Sequence, residues 1–398
     1  MILIVGSIGC NSQKELVPMD LSELTIADIH EAYIAKRFTA EELTMAYLKR
    51  ITEFDGRINS ITTINPEAIS IAKQLDIEYQ KTGKLRPLHG IPVIVKDNIN
   101  TKGLPTTAGA LALKDFSPNQ DATIITKLQN AGVIILAKSN MAEWAFSPMH
   151  TESSTNGTTH NPYNIEYVPA GSSGGTAASV ASSFGAVGLG TDTGNSIRGP
   201  SSHCSLVGFR TTLGLISRNG IVPLFLRNDV VGPMCRTVED ATKVMEVMVG
   251  YDQSDPLTKY SDGKVQNNYQ QFLDKNGLKG ARIGVLRELS EDNIDPEVKV
   301  LFEQSILDIQ SLGAEIIDPL NISNFSSLRK NQWCGTYRKD VESYLETFVK
   351  IDTIKTVEDI IRIGSNSQFS KDRLASYAGE NGRWDNAEAE CGDAYNDS

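Results

Sequence analysis

The sequence predicts an α/β fold built as one large unit, and three observations carry that prediction. Short, nearly unbroken apolar runs, Ile91-Pro-Val-Ile-Val95 and Val133-Ile-Ile-Leu-Ala137, have the form of strands buried on both faces. Stretches with apolar residues at helical spacing alternate with them, the pattern of layered α/β proteins. The chain of 398 residues is 40% hydrophobic and 22% charged, enough apolar material for a sizeable core and far from the composition of a disordered chain.

Taken in order, residues 1–9, MILIVGSIG, form an apolar run that ends at Cys10 and gives way to the polar NSQKE, like the end of a bacterial lipoprotein signal. No Lys or Arg precedes Lys14, where such a signal carries a positive start. Residues 1–20 are therefore read as a signal remnant or tether outside the fold. Two locations follow: a cell-envelope lipoprotein with a lipid anchor at Cys10 if the true start lies upstream, and a cytoplasmic protein otherwise. Thr39-Ala-Glu-Glu42 is a capping-box sequence, and Leu43, Ala46, Tyr47 and Ile51 follow at helical spacing, which predicts an amphipathic helix over 39–54. Residues 66–80 continue in the same style before the two apolar strands. Thr176–Phe184, mostly small residues, suits a tightly packed buried helix, and Ala186–Leu189 a short strand. Late in the chain Val298, Leu301, Phe302, Ile306, Ile309 and Leu312 make another helical stripe, stopped by Gly313 and followed by a strand-like Ala314-Glu-Ile-Ile317. No internal repeat appears. Residues 21–365 thus read as one domain and 366–398 as an atypical polar tail without apolar periodicity.

Composition also excludes function classes. With 38 Lys+Arg against 49 Asp+Glu the net charge is −11, which disfavours nucleic acid as the main ligand. No apolar run reaches the length of a membrane-spanning helix. The cysteines (Cys10, Cys204, Cys235, Cys334, Cys391) and the five histidines are scattered, without C-x-x-C or H-E-x-x-H, so neither a disulfide framework nor a zinc site is expected.

Chemistry concentrates in residues 171–199, where eight of the chain's 32 glycines fall. Gly171-Ser-Ser-Gly-Gly175 stands at the start of the small-residue helix, and Gly190-Thr-Asp-Thr-Gly-Asn-Ser-Ile-Arg198 follows the short strand. Neither phosphate-loop pattern is present. Read as G-x-S-x-G, the first cluster would make Ser173 an elbow nucleophile, but the only downstream histidine, His203, is 30 residues on, too close for the usual chain order of that mechanism. The plain alternative is that these glycines serve tight turns and close packing. A second feature is Lys96, at the end of the apolar strand, where desolvation lowers an ammonium pKa toward the range of a general base.

Gly90-Ile-Pro-Val-Ile-Val-Lys96-Asp-Asn98, Ala170-Gly-Ser172-Ser-Gly-Gly175, Gly190-Thr-Asp-Thr-Gly-Asn-Ser196-Ile-Arg198, Val207-Gly-Phe-Arg-Thr-Thr212 and Val231-Gly-Pro-Met-Cys-Arg-Thr-Val-Glu-Asp240 together resemble the amidase signature family, in order over residues 21–320. The resemblance implies a mixed β-sheet core covered by helices on both faces. It also implies hydrolysis of a small-molecule carboxamide without a metal or organic cofactor. It assigns Ser196 as nucleophile, Ser172 as the bridging serine beside a cis peptide, and Lys96 as general base. The oxyanion hole falls to Thr193, Gly194 and Asn195 with the Ser196 amide. Asp192 and Arg198 are expected to brace the turn.

The resemblance departs in two places. Asn195 stands where many relatives have glycine, a residue that tolerates left-handed backbone and so could keep the turn's shape. The family's later D-x-L-x-x-P-like strand and Pro-rich loop are not found, so the fold is expected to lack some C-terminal strands and to expose an apolar edge. Three functions stay open: an amidase, a protein like the amidase-type subunit of a tRNA-dependent amidotransferase working with partner subunits, and an inactive truncated envelope protein.

Overall fold

The computed structural model of the protein describes residues 19–266, 268–289, 294–325 and 336–377. The reading of Cys10 as a lipid anchor, and of residues 378–398 as tail, lies outside them.

Two helices, α1 (Ile26–Ile34) and α2 (Ala40–Ile58), lead into the sheet. The predicted capping box of α2 forms: the Thr39 hydroxyl accepts from the Glu42 amide at 3.1 Å, and the Glu42 carboxylate accepts from the Thr39 amide at 3.1 Å. Its apolar stripe, Leu43, Tyr47 and Ile51, is buried, and Asn59, at φ 56°, ends the helix. The sheet begins with β1 (Ile61–Ile64) and continues, after α3 (Ala68–Thr82), with β2 (Pro92–Lys96). Helix α4 (Thr123–Asn130) precedes β3 (Ile134–Ser139), and α5 (Gly174–Ala181) precedes β4 (Val187–Asp192). Helix α6 (Arg198–His203), β5 (Val207–Gly208), β6 (Val230–Cys235) and α7 (Val238–Met248) complete this layer.

The strands form one six-stranded sheet in the order β1-β3-β2-β4-β6-β5. Strand β2 runs parallel to both β3 and β4, while β1 against β3, and β6 against β4 and β5, are antiparallel. The sheet is therefore mixed, as expected. Every residue of β2, β3, β4 and β6 is buried, which explains why these strands read as continuous runs with no polar alternation. Central placement of β2 brings the ends of three strands, Lys96, Ser139 and Asp192, to one edge of the sheet. Glycines permit the approach of α5: a Cβ on Gly175 would lie 2.2 Å from the Asn140 carbonyl oxygen, and one on Gly188 2.5 Å from Thr176 Cγ2.

Two later regions differ from expectation. Helix α8 (Pro296–Ser311) and the parallel pair β7 (Arg282–Gly284) and β8 (Glu315–Ile317) form where predicted, but the stripe is only half covered, with Phe302, Ile306 and Ile309 partly buried and none fully buried. Leu301 is 67% exposed and Leu312 62%. Further on, α9 (Tyr337–Tyr344), α10 (Val357–Ile363) and α11 (Gln368–Tyr377) follow. Helix α11 lies inside the stretch read as a polar tail, so that tail boundary is corrected for residues 368–377. Leu374 is 2% exposed, and Tyr377 packs its ring on Phe146, Phe225 and Tyr337 at centroid distances of 5.4, 5.6 and 5.0 Å. Three large apolar residues in ten, Phe369, Leu374 and Tyr377, are too sparse to register as periodicity, yet they seat the helix on a second hydrophobic cluster containing Trp144, Phe146, Phe225 and Tyr337.

Candidate active site

Lys96 is the last residue of β2 and is wholly buried. Its Nζ lies 2.7 Å from Ser172 Oγ, 2.8 Å from Thr191 Oγ1 and 3.5 Å from the Thr191 carbonyl oxygen. Among the described residues no carboxylate lies within ion-pair distance of it. Burial holds its pKa down to about 7, partly opposed by the charges of Asp192 and Asp229. A neutral amine has two hydrogens and one lone pair; with both hydrogens on Thr191, the lone pair faces the Ser172 hydroxyl. Asp97, next in sequence, turns to a different partner. It lies 3.6 Å from the equally buried Lys138, whose Nζ donates to the Ile99 carbonyl at 2.7 Å and to Thr106 Oγ1 at 2.9 Å. Asp97 also accepts from the Thr107 hydroxyl and amide.

That separation leaves Lys96 without a directly paired counter-ion while Asp97 and Lys138 hold the chain that leaves β2. Breaking a buried ion pair strands the remaining charge. Lys138→Met is accordingly expected to lower stability by about 3–5 kcal/mol, read as a shift in the urea midpoint at unchanged m-value. An unchanged midpoint would mean that the pair contributes nothing.

Ser172 is fully buried, directly after a cis Gly171–Ser172 peptide. Its loop is fastened by backbone bonds: the Gly171 amide donates to the Pro148 carbonyl at 3.0 Å, and the Ala142 amide to the Ser172 carbonyl at 3.0 Å. A Cβ on Gly171 would lie 2.4 Å from the His150 carbonyl oxygen. Ser173, the alternative elbow nucleophile, is also fully buried. Its Oγ donates to the Thr191 carbonyl at 3.1 Å and accepts the Thr191 amide at 3.4 Å. It joins α5 to β4, and its hydroxyl is committed there.

Ser196 lies in the turn between β4 and α6, tied to the serine loop by the Ser173 amide donating to its carbonyl at 3.3 Å. It is 5% exposed and lines a pocket of about 620 Å³ whose walls include Phe146, Met149, Leu224, Phe225 and Tyr377. Thr193, Gly194 and Asn195 line the same pocket. Among the described residues the amides of Thr193, Gly194, Asn195 and Ser196 make no hydrogen bond.

Asp192 is the anchor of this turn. Its carboxylate accepts from the Ile197 amide at 3.0 Å, Arg198 Nε at 3.2 Å and Arg210 Nη1 at 2.9 Å. These donors outweigh the cost of burial and keep its pKa below the ordinary value. The expected brace between Asp192 and Arg198 is present, and Arg210 is a third member that sequence spacing did not single out. Asn195 does not adopt the left-handed backbone considered for it. Its side chain instead donates to the carbonyls of Pro148, at 3.0 Å, and Gly171, at 3.3 Å, tying the Ser196 turn to the Ser172 loop.

Residues missed by sequence reasoning are Thr191, which positions Lys96, and Asp229, a buried carboxylate behind the turn. Thr191 lies inside the quoted Gly190–Arg198 motif. For Asp229 the only signal was its place just before the Val231-Gly-Pro run.

The family model described as Amidase matches residues 42–377. A glutamyl-tRNA(Gln) amidotransferase subunit of Lawsonia intracellularis is 43% identical over 296 residues, which make 74% of this chain and 60% of that protein. The matched stretch thus spans about three fifths of that relative's length. A probable amidase of Arabidopsis thaliana is 35% identical over 377 residues, 92% of this chain and 73% of the relative. Among solved structures, the native peptide amidase from Stenotrophomonas maltophilia superposes with a TM-score of 0.83 at 33% identity, covering 91% of this chain and 76% of that one.

Proposed function

Because the chain belongs to the amidase family, we propose that it hydrolyses a carboxamide through Ser196, Ser172 and Lys96. The observation that carries this reading is a buried lysine, without a directly paired carboxylate and held near neutrality, bonded to a serine whose loop is fastened to the turn bearing a second, pocket-facing serine.

In the proposed reaction these residues act in turn. Ser196 Oγ attacks the amide carbonyl carbon while its proton passes to Ser172 Oγ, whose own proton passes to Lys96 Nζ. The carbonyl oxygen becomes an oxyanion, for which this reading takes the amides of Thr193, Gly194, Asn195 and Ser196 as donors. Collapse breaks the C–N bond, and the proton returns along the relay to the departing ammonia or amine. Water then attacks the acyl-Ser196 ester by the same relay, releasing the carboxylate. The apolar walls favour an uncharged substrate portion beside the reacting carbonyl.

Fluorophosphonate labelling followed by intact mass tests the reading, with one adduct per chain expected. The labelling rate should rise with pH through about 7, because only neutral Lys96 accepts the proton. A profile flat from pH 6 to 10 would remove Lys96 as the base, and absence of any adduct in folded protein would favour the inactive reading. The 43% identity to a component of a tRNA-dependent amidotransferase supports a second reading, in which the chain delivers ammonia to a partner. Co-purification of partner subunits and tRNA, with little free-standing amide hydrolysis, would favour it.

A further inference from the structure

Asp229 takes no part in the chemistry proposed above, yet it is buried immediately before β6 with three donors aimed at it. Its Oδ1 accepts from the Thr193 hydroxyl at 2.5 Å; its Oδ2 accepts from the amides of Leu224, at 2.8 Å, and Phe225, at 3.1 Å. All three of these residues line the pocket above Ser196. Two separate pieces of chain therefore meet at one carboxylate: the turn after β4 that carries Ser196, and the segment 224–229 that supplies a wall of the pocket. From its outer side that segment is held by different groups. The Leu226 amide donates to Asp340 of α9 at 2.8 Å, and Arg210 Nη2 donates to the Asn228 carbonyl at 2.9 Å.

A buried carboxylate is expensive to desolvate, and a turn and a loop can be joined by neutral groups at less cost. What a carboxylate adds is several acceptor sites in fixed geometry and charge-assisted hydrogen bonds. Resting on the amidase reading above, we infer that Asp229 is a positioning residue that locks the Ser196 turn to the Leu224–Phe225 wall, so that one side chain sets both the aim of the turn's open amides and the width of the pocket. Its effect reaches the reaction through the Thr193 hydroxyl. Burial and the neighbouring Asp340 raise its pKa to about 6, while its three donors lower it, so at neutral pH it is mostly the charged acceptor that this geometry needs.

The test uses the whole chain and the fluorophosphonate probe, with the rate at saturating probe and the half-saturating concentration measured separately. Thr193→Val, which keeps shape and backbone amide but removes the hydroxyl, is expected to slow labelling at saturation by about 10- to 100-fold with little change in half-saturation. Thr193→Ser restores the hydroxyl and should recover most of the rate. Asp229→Asn weakens the same link, so adding Thr193→Val to it should cost much less than Thr193→Val alone. Wild-type labelling rates in Thr193→Val, or losses that simply multiply in the double variant, would overturn the inference. If Asp229→Asn fails to fold, the valine and serine variants decide the matter alone. A wild-type protein that takes no probe overturns the amidase reading itself, and the inference with it, before any variant is compared.

Discussion

Ser196→Ala is expected to eliminate the fluorophosphonate adduct and to lower amide hydrolysis by about 10⁴- to 10⁶-fold, the scale seen when a nucleophile that acts as part of a unit is removed. The reason is chemical: in the proposed mechanism Ser196 carries the attacking hydroxyl, and the neighbouring serines are not placed to replace it. Ser172 is fully buried, and Ser173 is committed to Thr191. Stability should move by only about 0.5 kcal/mol, because the Ser196 hydroxyl makes no hydrogen bond among the described residues and its removal strands no partner. Intact-mass labelling and a thermal melt on the same sample separate the two effects. A persistent adduct at full stoichiometry would place the nucleophile elsewhere.

Lys96→Met should lower the labelling rate by about 10⁴-fold and abolish its rise through pH 7. Methionine approximates the volume, so the comparison isolates the amine; alanine would add a cavity cost of about 2–5 kcal/mol. The same substitution carries a stability signature with a definite sign. Burial lowers the folded pKa of Lys96 from its ordinary 10.5 to about 7. Between those values the unfolded chain binds a proton that the folded chain does not, so wild-type stability rises as pH increases from about 7 to 10.5 and loses that contribution below. Methionine removes the slope. The variant is therefore expected to gain most, relative to wild type, near pH 7 and to lose that advantage toward pH 10 in urea titrations. An equal stability difference at both ends would mean that Lys96 is charged in the folded protein.

Much of this site was legible because its pieces are local motifs. The Thr39–Glu42 capping box, the apolar run ending at Lys96, and the small-residue helix after Gly171 each state their own conformation within a few residues. Other features were hidden because they depend on partners far away in the chain. Lys96 and Ser172 are 76 residues apart, Thr193 and Asp229 are 36 apart, and Leu226 reaches Asp340 across 114. Backbone hydrogen bonding does not encode which strand pairs with which, so the central position of β2 was not readable. Helix α11 was read as tail because Phe369, Leu374 and Tyr377 are thinly spaced, whereas the stripe of α8 promised burial that the described residues supply only in part.

By itself the sequence determined the fold class and the buried strands, because periodicity and turn residues act over short range, while the candidate lysine and serines came from the resemblance of its ordered motifs to the amidase signature family. Only the tertiary structure decided their electrostatics. Packing on every side strips water from Lys96, directs Asp97 toward Lys138, and surrounds Asp192 with two arginines. A proton's preference depends on the charges and dipoles within a few ångströms, and those come from every layer of the fold at once.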